Sequence, residues 1–222
     1  MTTTVLTTPG TAAPKPRFRG RIHQVAFIVS IPAGLFLVAL GKTASARAAT
    51  VVYASALAAL LGTSASYHRY SWSISANERM QRLDHSMIFL LIAGTYTPFS
   101  VLALHGALRI VILAVVWTGA AVGIALKHLR LHGFKALTGA LYVSLGWVAV
   151  VAMPQFITGL PLAATVLMLT GGLLYTAGAV VFVRKRPDPV PAVFGYHEVW
   201  HVFVTAAVLC HYLAIMVMLL LA

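Results

Sequence analysis

A chain of 222 residues in which 60% are apolar and only 9% are charged is excluded from the ordinary water-soluble domains, and its mean hydropathy of +0.90 points to the bilayer as its solvent. The formal charge of +12 would suggest a nucleic-acid partner in a soluble protein. Here the basic residues stand in short clusters between apolar runs, the pattern of membrane topology signals, so no nucleic-acid partner is expected.

Residues 1–22 read as a disordered basic tail, its first fourteen positions rich in Thr, Ala and Pro without periodicity. One membrane domain follows over 23–222. Apolar runs at about 23–41, 48–67, 84–104, 107–126, 136–153, 161–183 and 199–221 each approach the roughly 20 residues a helix needs to cross the hydrocarbon. The expected fold is therefore an all-α membrane protein, a bundle of seven transmembrane helices. Ala44-Ser45-Ala46 after the first run imitates a signal-peptidase site, but that run is too long for a signal peptide and six more follow. Cys210 is the single cysteine, which rules out an intrachain disulfide. Gly and Pro within the runs, such as Pro32, Gly94 and Pro98, indicate close packing or kinks, and Gly119, Gly123 and Gly139 read as helix contacts.

The basic residues set the orientation. Lys15, Arg17, Arg19 and Arg21, then Arg69, Arg79 and Arg82, then Lys127, Arg130 and Lys135, then Arg184, Lys185 and Arg186 fall on one side of a seven-span topology. Only Lys42, Arg47 and Arg109 fall on the other. The positive-inside rule places the N-terminus in the cytoplasm and the C-terminus outside, in a multi-pass protein of the cell membrane.

Ionisable side chains within apolar spans are costly and mark functional sites. Ser64 and His68, four apart, close the second span; Asp84 opens the third; His197 and His201, again four apart, open the seventh. Residues four apart share a helix face. Under the alternating topology all five lie near the cytoplasmic boundary, which is the condition for a shared site. Three neutral imidazoles, His68, His197 and His201, suit zinc and leave a fourth tetrahedral position for water, the open arrangement of a catalytic site. Asp84 then reads as a base acting on that water and Ser64 as a hydrogen-bonding orienter, although direct ligation by either stays open.

Other polar residues receive structural readings. His23, His105, His128 and His132 read as interfacial, His85 as interfacial or supporting the site, and His211 as a helix–helix hydrogen bond. Tyr67, Trp72, Trp200 and Tyr212 read as interfacial or packing aromatics. His197-Glu198-Val199-Trp200-His201 also satisfies the H-E-x-x-H pattern of zinc metalloproteases. Because His68 and Asp84 already offer a third ligand and a base, Glu198 reads as a residue favouring the helix N-terminus.

At these positions the sequence resembles a known family. Ser64-x-x-x-His68, Leu83-Asp84-His85 running into Ile92-Ala93-Gly94-Thr95-Tyr96-Thr97-Pro98-Phe99, and His197-x-x-x-His201 are similar to the three signatures of the bacterial hemolysin III family. That family is grouped with the progestin and adipoQ receptors and, more distantly, the alkaline ceramidases. The resemblance implies a seven-helix bundle holding zinc through His68, His197 and His201, with Asp84 and Ser64 around the water. It does not fix a function. The leading expectation is a zinc-dependent, ceramidase-like hydrolase of a lipid amide or ester reached from the cytoplasmic leaflet, with membrane lipids as its partners. The alternatives are a receptor or regulator with structural zinc, a pore-forming haemolysin, and, behind these, an intramembrane metalloprotease. The sequence names neither the substrate nor the oligomeric state.

Overall fold

The computed structural model describes residues 15–129 and 135–221, with the side chains at 135 and 136 outside that description. The expected tail residues 1–14, together with Arg130 and His132, lie outside the described residues. The described chain is helical: α1 (Arg21–Leu40), α2 (Ala44–Arg69), α3 (Ile74–Ala103), α4 (Gly106–His128), α5 (Lys135–Gly146), α6 (Ala149–Gly159), α7 (Leu162–Arg184) and α8 (Tyr196–Leu221). Seven helical stretches are long and apolar enough to cross a membrane, the fifth being Leu137–Gly159, which runs through α5 and α6.

Two boundaries depart from the sequence expectation, for physical reasons. The third helix starts at Ile74, ten residues before the expected 84, because an apolar run marks only where hydrocarbon begins. Asn77, Glu78, Arg79, Gln81 and Arg82 carry the helix on through a polar layer, and Glu, Arg and Gln are good helix formers. The fifth span continues to Gly159 but breaks at Trp147 and Val148. Backbone groups freed inside a membrane need partners, and Tyr96 of α3 supplies them. Its hydroxyl donates to Gly146 O at 2.7 Å and accepts from Ala149 N at 2.7 Å.

Residues 15–22, expected as tail, take part in the fold. Arg17 N and Phe18 N donate to Ala192 O and Val193 O in the α7–α8 connection, both at 3.1 Å, and α1 begins at Arg21. Consecutive helices α1, α2, α3 and α4 pack side by side, α7 packs along α8, and α8 returns against α1. Small residues allow the close approaches: Gly34 faces Ala54, Gly94 faces Ala56, Gly119 lies under Leu145 and Gly123 under the Phe89 ring. Gly139, expected as a helix contact, has no neighbour among the described residues within 4 Å of where a Cβ would stand. The most enclosed spans are α2 and α3, and these carry three of the five residues singled out from the sequence.

Candidate metal centre

The last turns of α2 hold Ser64 and His68 on its inward face, at 3% and 7% exposure. The first turns of α8 hold His197 and His201, the latter buried. These ends meet. His68 Nε2 stands 3.2 Å from His197 Nε2, and one ring nitrogen from each of His68, His197 and His201 falls within a group whose members all lie within 4.8 Å of one another. Ligand atoms about 2.0–2.1 Å from a tetrahedral zinc stand about 3.3–3.4 Å apart, so the His68–His197 separation matches an edge of that polyhedron. The three rings are tilted steeply against one another, with centroids 4.7–5.1 Å apart.

Asp84, two to three turns into α3, comes to the same place. Its Oδ2 is 3.9 Å from His68 Nε2, too far for a direct hydrogen bond and close enough to act through a small bridging molecule. Ser64 also lies within interaction range of Asp84. All five residues selected from the sequence are thus gathered at one end of the bundle.

The structure adds a fourth histidine, one that its immediate sequence neighbours do not single out. His23 of α1, expected to be interfacial, is only 3% exposed. Its ring stacks on His201 with centroids 3.8 Å apart and planes 11° from parallel, and its Nδ1 shares a 2.9 Å hydrogen bond with Ser64 Oγ. His23 Nε2 and His201 Nδ1 are buried ring nitrogens with no protein partner. A buried polar atom without a partner is costly, and an ion or a small polar molecule among these imidazoles would supply one. His23 opens the first span at the same depth as His197 opens the last, and that shared depth is the signal in the sequence that could have found it.

Beside the cluster lies a cavity of about 320 Å3 whose walls include His68, Asp84, His85 and His197, with Tyr67, Asn77, Gln81 and Phe182. Lys15 and Arg19 complete the wall from the N-terminal segment. His85 therefore faces the cavity next to Asp84. Glu198, the acidic residue of the H-E-x-x-H pattern, is not placed to act as a base. It is fully buried, its Oε2 accepts from Gly195 N at 2.8 Å, and its Oε1 is paired with the Arg19 guanidinium. That is the helix-start function of a capping-box acid, and Asp188 Oδ1 caps the next amide, Tyr196 N, at 2.8 Å.

Among the described residues, three further histidines stay apart from the centre. His105 is exposed ahead of α4, and His128 at the end of α4 approaches Ser86 Oγ at 3.4 Å. His211 joins α8 to α7 through Met168 O at 3.1 Å, a helix–helix hydrogen bond. Trp200 packs with Phe182, and the Tyr212 hydroxyl donates to Ala33 O at 3.1 Å.

Comparison with known proteins bears on this arrangement. A family model described as haemolysin-III related matches residues 11–212. The chain is 36% identical to "Hemolysin-3" of Bacillus cereus over 186 residues, covering 82% of this chain and 81% of that protein. It is 29% identical to "Hemolysin-3 homolog" of Bacillus subtilis (strain 168) over 185 residues, covering 82% and 84% respectively. It is likewise 29% identical over 170 residues to the human "Monocyte to macrophage differentiation factor", covering 74% of this chain and 67% of that one. The match to the family model reaches from the N-terminal segment to α8 and so takes in every residue of the histidine cluster.

Proposed function

The chain belongs to the haemolysin-III related family, and from that premise we propose that it is an integral membrane zinc hydrolase acting on a lipid amide or ester. The observation that carries this reading is the convergence of His68, His197 and His201 beside an aspartate and an open cavity. The donor set favours zinc, since neutral imidazoles suit that ion. When bound, zinc supplies Lewis acidity, polarising a carbonyl and easing the deprotonation of water.

The protein's own groups do the rest. Asp84, 3.9 Å from the nearest ligand atom, takes the proton from the attacking water at its carboxylate and returns it to the departing amine or alcohol. Ser64 orients that carboxylate, and is itself fixed by His23 Nδ1. The polar wall of Tyr67, Asn77 and Gln81 receives the headgroup while the acyl chain stays in the bilayer. The distribution of Lys and Arg favours this end of the bundle, and the N-terminus, on the cytoplasmic side of the plasma membrane.

The competing protease reading loses its base, because Glu198 is engaged by Arg19 and Gly195. A receptor with structural zinc would use the same ligands, and the two differ in Asp84. In a hydrolase, Asp84→Ala abolishes turnover of lipid amides and esters while zinc content, measured by elemental analysis, stays at the wild-type level. Unchanged turnover in that variant would overturn the hydrolase reading. Loss of zinc from it would show that Asp84 holds the ion itself.

A further inference from the structure

The histidine ligands meet through their rings, but the helices that carry them are not neighbours along their length. The backbones of α2, which carries His68, and α8, which carries His197 and His201, come close at few points, and each packs along α1. Something must hold their ends in register to a few tenths of an ångström if one ion is to meet all three rings. The segment Lys15–Gly20 bridges both ends. On the α2 side, Lys15 Nζ donates to His68 O at 3.4 Å and to Tyr70 O at 3.1 Å. Gly20 is pressed onto the ligand itself, with φ +76° and a site for Cβ only 2.7 Å from His68 Cβ. On the α8 side, Arg17 and Phe18 hydrogen-bond through their backbone to the loop before the helix. Arg19 reaches Glu198, which lies between His197 and His201 in sequence and ties back to Gly195 N.

We propose that the N-terminal strap, through the Arg19–Glu198 pair, is the clamp that sets the spacing between the two ligand-bearing helices, and that Arg19 and Glu198 are positioning residues of the metal centre. The glutamate of the H-E-x-x-H pattern thus acts on the ion through the helix it anchors. This inference rests on the metal-binding reading of the three histidines, though not on any catalytic activity. A buried carboxylate without its cation would draw water or shift its helix, and the register of His197 and His201 would move with it.

The test uses the full-length, detergent-solubilised protein with cobalt(II) as the probe, following its visible absorption and its release to a competing chelator. Arg19→Met and Glu198→Gln are each expected to weaken cobalt affinity by about tenfold or more, the scale of losing a supporting partner of a ligand, and to change the intensity of the tetrahedral absorption. Arg19→Lys, which keeps the charge without the planar fork, falls between Met and wild type. The double variant Arg19→Met/Glu198→Gln binds no more weakly than the weaker single, since the two residues act as one unit. Wild-type affinity and absorption in folded Arg19→Met would overturn the clamp; should that variant not fold, the same result in Arg19→Lys would do so. No cobalt uptake by the wild-type protein would overturn the metal centre and the clamp together, whereas uptake that the variants leave unaltered overturns the clamp alone.

Discussion

The two ends of this bundle use polar side chains in opposite ways. At the end where α2 begins, such groups serve chiefly to close off backbone: Thr43 Oγ1 accepts from Ala46 N, Arg47 Nε donates to Gly41 O, Arg109 Nε donates to Leu104 O, and Gln155 Oε1 accepts from His105 N. Each of these bonds satisfies a helix terminus or a turn, as the bilayer demands. At the end where α2 finishes, polar side chains meet each other. His23, Ser64, His68, Asp84, His197 and His201 come from four helices, and two of their ring nitrogens are left without a protein partner. A group bonded to its neighbour's backbone supports the fold, whereas buried groups gathered around one point with spare valence are arranged for a ligand.

The largest effect that would break this contrast comes from the proposed ligands. His201→Ala is expected to remove the metal altogether, while Arg109→Ala at the opposite end keeps the wild-type content; elemental analysis per chain decides, and metal retained in His201→Ala would erase the distinction. Next come the supporting contacts. His23→Phe keeps a stacked ring on His201 but removes the bond to Ser64, and Ser64→Ala removes the other half, so each should weaken zinc binding by about 10- to 100-fold in chelator competition.

Two glycines sharpen the comparison further, because both have positive φ but different surroundings. Gly106 has open space within 4 Å of the point where a methyl group would stand, whereas Gly20 is closed by His68. Gly106→Ala should therefore cost only the left-handed backbone term, about 1–2 kcal/mol. Gly20→Ala adds a collision with His68, a proposed ligand, so its thermal unfolding should fall further and its metal affinity should drop as well. Equal losses in the two variants would mean that the strap does not press on the site. Arg109→Ala, which removes one part-buried charge-assisted bond to a carbonyl, should cost about 1.5 kcal/mol in thermal stability, comparable to Gly106→Ala.

Much of the site can be read from the chain because depth in a membrane is a one-dimensional coordinate. Counting residues from a span's start fixes how deep a side chain lies, so the shared level of Ser64, His68, Asp84, His197 and His201 follows from the spacing of apolar runs. His23 stands at that level too, but a lone histidine at a helix mouth has no second residue at helical spacing to single it out, and so it reads as interfacial. Its role is visible only once α1 is seen between α2 and α8. Arg19 and Glu198 are 179 positions apart, and no local pattern pairs a residue of an irregular segment with one in the last helix.

The amino-acid sequence by itself determined that seven apolar stretches cross the bilayer, in which order, and at which end their polar residues emerge, because hydrocarbon thickness and helical rise act on each segment separately. Tertiary structure alone decided which faces meet: that Tyr96 closes the break between α5 and α6, that His23 stacks on His201, and that Arg19 holds Glu198. Those outcomes depend on how each helix turns about its own axis and which neighbour it takes. Close packing of small residues such as Gly34, Gly94 and Gly123 sets both, and that packing exists only between different helices.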